Sequence, residues 1–271
     1  MTGRIPRGVV LLIYAALIVI PLVVVFSGSL KTTAQLFGNP FGAPTPPTGD
    51  NYHEVLTGGN LATAFGNSAV ITACSVLLTL FIASLAAYGI SRIPGWKGVL
   101  LLGLFIAGMS VPTQANMIPQ FVQFGQLGLL DNQAGLILIN IVSTLPVAVF
   151  ILGGFMKTLP SGLYEAAEID GAGPWRTYVS IAMPLSAPSL AATATFLFVM
   201  HWNELLYPLM FISSDEKATL PLALLRFQGE YFTNYPVLFA GVVLSSIPIV
   251  IAYVLLQRYF VAGMTSGAVK G

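Results

Sequence analysis

Long apolar stretches separated by short polar segments dominate the sequence. Crossing the hydrocarbon core of a bilayer takes about 20 consecutive apolar residues, and five stretches reach that length. A sixth, Gly98–Pro119, loses its apolar character near Met109, and such a broken end is tolerated where its backbone faces protein or water. The pattern predicts an all-α integral membrane protein with six transmembrane helices. The five strong stretches are Val9–Leu30, Ser68–Ile90, Ala134–Met156, Pro188–Ile212 and Val237–Phe260.

The composition excludes the soluble classes of protein. Of 271 residues, 56% are apolar and 8% are charged, whereas a soluble domain has about a quarter of its residues charged. The net charge of +1 argues against nucleic-acid binding. One cysteine, Cys74, excludes a disulfide framework and a zinc cluster.

The lysines and arginines are distributed unevenly between the two sides of the membrane. Since basic residues favour the cytoplasmic side, the bias predicts a multi-pass membrane protein with both termini in the cytoplasm. A cleaved signal peptide is the alternative for the first stretch, but Phe26 makes a poor cleavage pattern. The inner segments hold Arg4, Arg7, Arg92, Lys97, Lys157, Arg176, Arg258 and Lys270, and the outer segments hold Lys31, Lys217 and Arg226.

Three loops are long enough to carry structure of their own. Lys31–Phe65, predicted outside, is rich in proline and glycine and is expected to be irregular. Ser213–Pro236, also outside, mixes charges with aromatic residues, so it suits either docking of a soluble partner or an amphipathic cover on the membrane. Lys157–Ala187 lies inside. The chain is expected to divide into an N-terminus (1–8), a first helix (9–30), an external loop (31–65), a five-helix core (66–260) and a C-terminal tail (261–271).

The inner loop, 157–187, predicts a helix–turn–helix. Ser161 is a candidate cap for the first helix, Gly171 and Gly173 are expected to end it, and Pro174 suits the first turn of the second. Pro184 and Pro188 are expected to separate the second helix from the fifth span. Exposed apolar residues on the first helix, Leu163, Tyr164 and Ile169, need either a groove on a partner or the lipid surface.

The same loop resembles the signature of ABC-importer permease subunits. Glu165-Ala166-Ala167 is followed by Gly171 and, ten positions later, by Ile181 and then Pro184, with Met183 in place of the usual leucine. Further motifs are similar to those of the carbohydrate-uptake branch, in particular its shorter, maltose/oligosaccharide-type permease. They are Asn67-Ser68, Ala87 to Arg92, Ile118-Pro119, Trp202 to Leu205, Gln257 to Phe260 and Gly267 to Gly271.

The resemblance implies a type I ABC importer fold, a place in a bacterial or archaeal cytoplasmic membrane and a set of partners. In that family a second, homologous permease completes a heterodimer, two ATP-binding subunits dock inside, and an external binding protein delivers the sugar, expected to be a di- or oligosaccharide. ATP and Mg²⁺ would lie on the ATPase, because this chain has no phosphate-binding loop of its own. The chain is therefore expected to be a transport subunit and not an enzyme.

Two sets of residues acquire expected roles from the resemblance. The coupling helix would present Glu165, Ala166, Ala167, Asp170 and Gly171 to the ATPase, with Ile181 and Pro184 completing the motif. The tail either frays or reaches between the ATPase subunits. Its residues are Gly267, Ala268, Val269, Lys270 and Gly271.

Polar residues within the predicted spans are candidates for the translocation path. Glu204 is a carboxylate inside a span, where it either binds sugar hydroxyls or bonds backbone or the second permease. Asn140 and Thr144 share one helical face, where path lining competes with bonding between helices. The remaining candidates are Asn203, Gln114 and Asn116.

Two rival functions follow from the same composition. A proton-coupled secondary transporter would use Glu204 and His201, but it would have no need of the Glu-Ala-Ala loop. An intramembrane enzyme needs paired catalytic groups, and no Ser/His or Asp/Asp arrangement with suitable spacing occurs in the sequence. His53 and His201 are interpreted as structural residues.

Overall fold

The computed structural model describes residues 7–57, 60–227 and 234–268, and the regular secondary structure in these ranges is helical, without a strand. A π-helical turn occupies Tyr178–Ala182 and a 3₁₀ turn occupies Asp215–Lys217. The α-helices are α1 (Arg7–Ser29), α2 (Thr33–Gly38), α3 (Asp50–Thr57), α4 (Leu61–Ser91), α5 (Trp96–Met109), α6 (Thr113–Gln126), α7 (Gln133–Met156), α8 (Ser161–Ile169), α9 (Pro174–Thr177), α10 (Met183–Leu185), α11 (Ala187–Trp202), α12 (Leu206–Phe211), α13 (Leu220–Phe227) and α14 (Tyr235–Ala268).

Helices long and apolar enough to cross a membrane confirm the all-α membrane prediction. In the described part of the chain, α1, α4, α7 and α14 meet this criterion singly. Two bent pairs meet it jointly, namely α5 with α6 at 89° and Pro174–Leu185 with α11 at 74°. The total reaches the predicted six when each bent pair counts as one span.

The third span is broken where the sequence loses its apolar character. Pro112, with φ −60° and ψ 124°, precedes α6 in extended backbone, so the chain turns between Met109 and Thr113. The polar stretch beyond this point is helical and continues through Pro119 to Gln126, which corrects the expectation that the span ends at Pro119.

The fifth span is shorter than the apolar stretch Pro188–Ile212 predicted. Helix α11 ends at Trp202, and α12 begins anew at Leu206. The carboxylate of Glu204 accepts hydrogen bonds from the backbone N–H groups of Leu206 (2.8 Å) and Tyr207 (3.3 Å). A carboxylate that satisfies free N–H groups favours the start of a new helix, which accounts for the division.

One compact unit comprises residues 1–65 and 220–247, and it corrects the expectation of an irregular loop at 31–65. Lys31 is 1% exposed, and its ammonium group donates to the carbonyl oxygens of Asn39 (3.0 Å) and Pro40 (2.9 Å). The side-chain amide of Asn51 donates to the carbonyl oxygens of Ser29 and Lys31, each at 2.8 Å. These bonds fix a segment that also contains α2 and α3.

The second compact unit comprises residues 66–219 and 248–271. Its core forms where α4, α7 and α11 pack, and Ala83, Ala87, Ala148 and Leu197 are fully buried there. Small residues at such contacts let helix backbones approach closely inside a membrane. Segment 157–187, which carries the Glu-Ala-Ala motif, belongs to the same unit.

Candidate functional site

Helix α8 carries the Glu-Ala-Ala motif and has well-defined ends. The residue that precedes its first turn is Pro160, and no side chain caps this end. Ser161 is the first helical residue, so the capping role predicted for Ser161 is wrong. Because proline fixes φ near −65°, the Pro160 backbone sets the entry of the chain without a hydroxyl.

Gly171 ends α8 in the conformation expected of it, with φ +72°. Its N–H donates to the carbonyl oxygen of Glu168 (3.1 Å), and the N–H of Ala172 donates to that of Ala167 (2.8 Å). This pair of bonds is a Schellman motif, in which a left-handed residue reverses the chain after a helix. A Cβ is costly in that conformation, so the predicted positive φ at Gly171 is confirmed.

The two faces of α8 differ sharply in exposure. Tyr164 and Ala167 are 3% and 5% exposed, whereas Ile169 is 86% exposed and Leu163 is 41% exposed. Glu165, Ala166 and Asp170 lie on the exposed side as well. The prediction of exposed apolar residues is confirmed for Leu163 and Ile169 but wrong for Tyr164, because the end of α4 covers its ring.

Arg92, directly after α4, makes two contacts with α8. Its guanidinium lies 3.0 Å from a carboxylate oxygen of Glu168, and its Cζ lies 4.3 Å from the centre of the Tyr164 ring. Arginine supports both interactions together, because the guanidinium plane stacks on aromatic faces while its edge donates to carboxylates. Burial raises the pKa of the Tyr164 hydroxyl, so this ring stays neutral beneath the cation.

Two further residues of α4 bind the segment that follows α8. The Tyr88 ring lies 6.4 Å from that of Tyr164 and 5.4 Å from that of Tyr178, measured between centroids. The Tyr88 hydroxyl donates to the carbonyl oxygen of Pro174 (3.3 Å), and Ser84 shares a buried 2.8 Å hydrogen bond with the Tyr178 hydroxyl. Ser84, Tyr88 and Arg92 follow one another at intervals of four, so they form one stripe of the helix, the α4 stripe.

Open space adjoins the contact between Arg92 and Glu168. A cavity of about 390 Å³ lies between the end of α4 and the α8–α9 turn. Its wall also includes Tyr88, Gly89, Ala172, Pro174 and Thr177.

The motif residues Ile181 and Pro184 lie in a helical run that continues from Pro174 to Leu185. Ile181 is half-buried in the π-helical turn, and Pro184 is exposed in α10. The predicted separation between this run and the fifth span is confirmed, because the chain bends by 74° at Ser186, between Pro184 and Pro188. Pro184 itself lies in the first turn of α10, a position with which proline is compatible.

Asn140 and Thr144 lie inside the second compact unit, 5% and 3% exposed. The Asn140 amide donates to the Ser75 hydroxyl (3.3 Å), and the Thr144 hydroxyl donates to the carbonyl oxygen of Asn140 (2.7 Å). The Thr144 hydroxyl also lies 3.4 Å from Nε2 of His201. These contacts join α4, α7 and α11.

The other candidate path residues occupy the two breaks in the spans. Gln114 is exposed and Asn116 half-buried in the first turn of α6. Asn203 is exposed between α11 and α12, next to the half-buried Glu204. The structure thus places amide groups at both breaks, while Asn140 and Thr144 lie among packed helices.

Asp131, between α6 and α7, binds the segment after α12. Its carboxylate accepts from the N–H groups of Ser213 (3.1 Å) and Ser214 (2.9 Å), from the Ser214 hydroxyl and from the Lys217 ammonium group (2.9 Å). The Ser214 hydroxyl and N–H, together with Lys217, hold the pKa of this carboxyl far below its usual range. Sequence reasoning missed this arrangement, named here the Asp131 junction, since it counted Lys217 as a topology signal alone.

Arg92 entered the sequence-based predictions for orientation and within the motif Ala87 to Arg92, but no contact with α8 was assigned to it. The sequence does contain a signal for this contact. Tyr88 and Arg92 are four residues apart, as are Tyr164 and Glu168, and the second residue of one pair is a cation and that of the other a carboxylate.

Of the tail, Gly267 and Ala268 belong to α14, and Val269, Lys270 and Gly271 lie outside the described residues. Within the described ranges no cluster of three or more metal-binding side chains occurs.

Comparisons with known proteins identify the family. Residues 79–266 match the family model described as the binding-protein-dependent transport system inner membrane component. The chain is 37% identical to the multiple sugar-binding transport system permease protein of Streptococcus mutans, over 97% of this chain and 96% of the relative. The crystal structure of a bacterial ABC transporter that imports the acidic polysaccharide alginate matches with TM-score 0.79 and 25% identity, over 94% of this chain and 95% of that chain.

A second solved structure supports the same fold. A bacterial alginate ABC transporter in complex with alginate pentasaccharide-bound periplasmic protein matches with TM-score 0.69 and 15% identity, over 93% of this chain and 91% of that chain. The fold is that of type I ABC importer permeases. The chain is a multi-pass membrane subunit of such an importer and not an enzyme. The chain therefore belongs to the family of binding-protein-dependent ABC importer permeases, in its carbohydrate-uptake branch.

Proposed function

We propose that this chain, paired with a second, homologous permease, imports a sugar, a di- or oligosaccharide, by alternating access driven by ATP hydrolysis in two partner subunits. The observation that carries the proposal is the exposed face of α8. Leu163 and Ile169 present exposed apolar side chains on the same helix as the exposed acidic residues Glu165 and Asp170. Such a face suits a cleft on a soluble protein, and Gly171 fixes the direction in which the helix ends.

Within the coupling motif, the residues divide by exposure. Glu165, Ala166 and Asp170 are exposed and are proposed to contact the ATPase, whereas Ala167 packs inward and spaces α8 from the end of α4. Gly171 is proposed to set the exit of the helix. Ile181 and Pro184 are proposed to hold the following helical run.

The sugar class is supported by the named substrates of similar proteins. The permease of Streptococcus mutans belongs to a system described as binding multiple sugars, and the solved transporter imports alginate. Amide groups suit sugar hydroxyls, because each amide offers both donors and an acceptor. The proposed path residues are Gln114, Asn116, Asn203 and Glu204, at the breaks of the spans, and Asn140 and Thr144, on α7.

The external partner is proposed to be a sugar-binding protein. The family description names binding-protein dependence, and one solved alginate transporter was captured with its pentasaccharide-bound periplasmic protein. ATP and Mg²⁺ are proposed to be held by the ATPase subunits. The tail from Gly267 is proposed to reach between them, so deletion of residues 265–271 should lower transport-coupled ATP hydrolysis while the complex still assembles.

Membrane orientation follows from the same proposal, with both termini in the cytoplasm. In a Cys74→Ser background, Ile169→Cys should react with an impermeant maleimide only from the cytoplasmic side, and Phe41→Cys only from outside. Both side chains are more than four-fifths exposed in this chain, so burial does not limit the reaction when the ATPase subunits are left out. Labelling of Ile169→Cys in intact cells would contradict the orientation.

The decisive experiment is reconstitution in proteoliposomes with the second permease, the ATPase subunits and the binding protein. Uptake of radiolabelled sugar should require internal ATP and should persist when an ionophore collapses the proton gradient. Gly171→Leu strains a left-handed position by about 1 kcal/mol or more, so it should abolish coupled uptake while the chain remains in the membrane. Uptake that needs the proton gradient but no ATPase would support the secondary-transporter alternative instead.

A further inference from the structure

We propose that Arg92 is the positioning residue that makes α8 and α4 move together, so that a displacement of α8 reaches the helix core through α4. This inference rests on the proposed coupling role of α8 and names a residue outside the Glu-Ala-Ala motif. Arg92 contacts Tyr164 and Glu168, the residues on either side of the Glu-Ala-Ala motif.

The first support is the geometry of the contact. Tyr88, on α4, and Arg92, directly after α4, are one helical turn apart, since the N–H of Arg92 donates to the carbonyl oxygen of Tyr88. Tyr164 and Glu168 lie one turn apart on α8. Arg92 contacts both α8 residues, at 3.0 Å from the Glu168 carboxylate and 4.3 Å from the Tyr164 ring centre. Two contacts of different kinds, one turn apart, fix the rotation of α8 as well as its distance from α4.

The second support is the chemistry of the guanidinium group. Its plane must lie over a ring while its edge faces a carboxylate, and a lysine ammonium group supplies the charge without the plane. Tyr164 is 3% exposed, so the ring that receives the guanidinium is itself held by packing. The two contacts of Arg92 therefore depend on the orientation of α8 as well as on the charge of Glu168.

The third support is the position of Arg92 between the exposed face of α8 and the buried core. One and two turns earlier on the same stripe, Tyr88 and Ser84 bind Tyr178, and Ala87 is fully buried against the core. On the other side of Arg92 and Glu168 lies the 390 Å³ cavity, where packed side chains give way to open space. Beside this cavity, α8 is held to the end of α4 by the contacts of the Arg92 guanidinium with Glu168 and Tyr164.

The test uses the complete reconstituted transporter with Arg92→Ala, Arg92→Lys, Arg92→Glu and the double charge reversal Arg92→Glu with Glu168→Arg. Arg92→Ala should assemble and keep its melting temperature, while the stimulation of ATP hydrolysis by the loaded binding protein falls about five- to tenfold. Sugar transported per ATP should fall with it. Arg92→Lys should retain part of the coupling, and the double reversal should recover part of what Arg92→Glu loses.

Lys97→Ala is the matched control, since Lys97 is an exposed cation on the neighbouring α5 and should leave coupling unchanged. Wild-type stimulation in Arg92→Ala would overturn the inference alone, while the proposed function stands. Failure of Arg92→Ala to assemble, or a double reversal no better than Arg92→Glu, would also overturn it in favour of a merely structural role. A wild-type complex without ATP-dependent uptake would instead contradict the proposed function itself.

Discussion

Asp131 and Glu168 each join two helical segments by pairing with a basic residue, yet the two junctions are built differently. Asp131 receives four donors, two of them backbone N–H groups, and Lys217 also donates to its carbonyl oxygen at 2.7 Å. Glu168 receives the Arg92 guanidinium, and its side chain is 66% exposed.

The number of donors and the exposure of each carboxylate indicate different mechanical roles for the two junctions. Multiple donors that include backbone groups hold a loop in one conformation, because releasing the carboxylate would leave several donors unpaired at once. An exposed ion pair contributes little net stability, and it can break and re-form as its helices move. The Asp131 junction therefore suits a fixed connection, and the Arg92–Glu168 contact suits a connection that directs movement.

Removal of the Asp131 carboxylate should have the largest effect on stability. Asp131→Ala leaves the Ser213 and Ser214 N–H groups without their acceptor and leaves Lys217 with the backbone carbonyl alone, so the melting temperature in detergent should fall by roughly 5–8 °C. Glu54→Ala, which removes an exposed carboxylate from α3, is the control. A melting temperature equal to that of the control would contradict the fixed connection.

Acidic pH should have the same effect as the substitution. Because its partners lower the folded-state pKa of Asp131, the carboxylate stabilises the fold above the unfolded pKa of about 3.9, and this contribution is lost as the pH falls further towards the folded value. The difference in melting temperature between wild type and Asp131→Asn should therefore stay constant from pH 8 to about pH 5 and shrink below about pH 4. A difference that shrinks already near pH 6 would point to another group.

Replacement of the buried ring under Arg92 should have an intermediate effect. Tyr164→Leu removes the aromatic face and leaves a partly empty site, so the melting temperature should fall by roughly 2–5 °C, together with the coupling of ATP hydrolysis to uptake. Tyr164→Phe is the matched control, because the Tyr164 hydroxyl is buried and no group in the described residues bonds to it. Equal losses in the two variants would show that the hydroxyl, not the ring, matters.

Loss of the exposed charge on α8 should have the smallest effect on stability. Glu168→Gln should change the melting temperature by less than about 2 °C, while stimulation of ATP hydrolysis by the binding protein falls. A drop in melting temperature as large as that of Asp131→Ala would erase the distinction between the two junctions.

Much of the fold could be predicted because membrane spans and helix ends depend on local sequence. Apolar length located the spans, Pro112 marked the break in the third, and Gly171 marked the end of α8. The end of α11 at Trp202 was missed, since the apolar pattern continues past it and the decisive signal is one carboxylate, Glu204, capping a later helix.

The errors at the site have a common physical origin. Tyr164 was expected on the exposed face because the sequence of a nine-residue helix shows which residues share a face but not what covers it. Its cover is Arg92, 72 positions earlier in the chain. The burial of Lys31 was missed for a similar reason, because the carbonyl groups that accept from its ammonium group belong to Asn39 and Pro40, in a segment expected to be irregular.

The α4 stripe has a consequence for recombination between related permeases. Its contacts link residues 84–92 with residues 164–178, so two segments distant in the sequence form one mechanical part. A chimera that exchanges the Glu-Ala-Ala loop alone would set a foreign helix against Tyr88 and Arg92. An insertion of one residue within 84–92 would turn the following stripe residue by about 100°, away from its partners. Exchange of functional loops should therefore succeed when both segments come from the same parent.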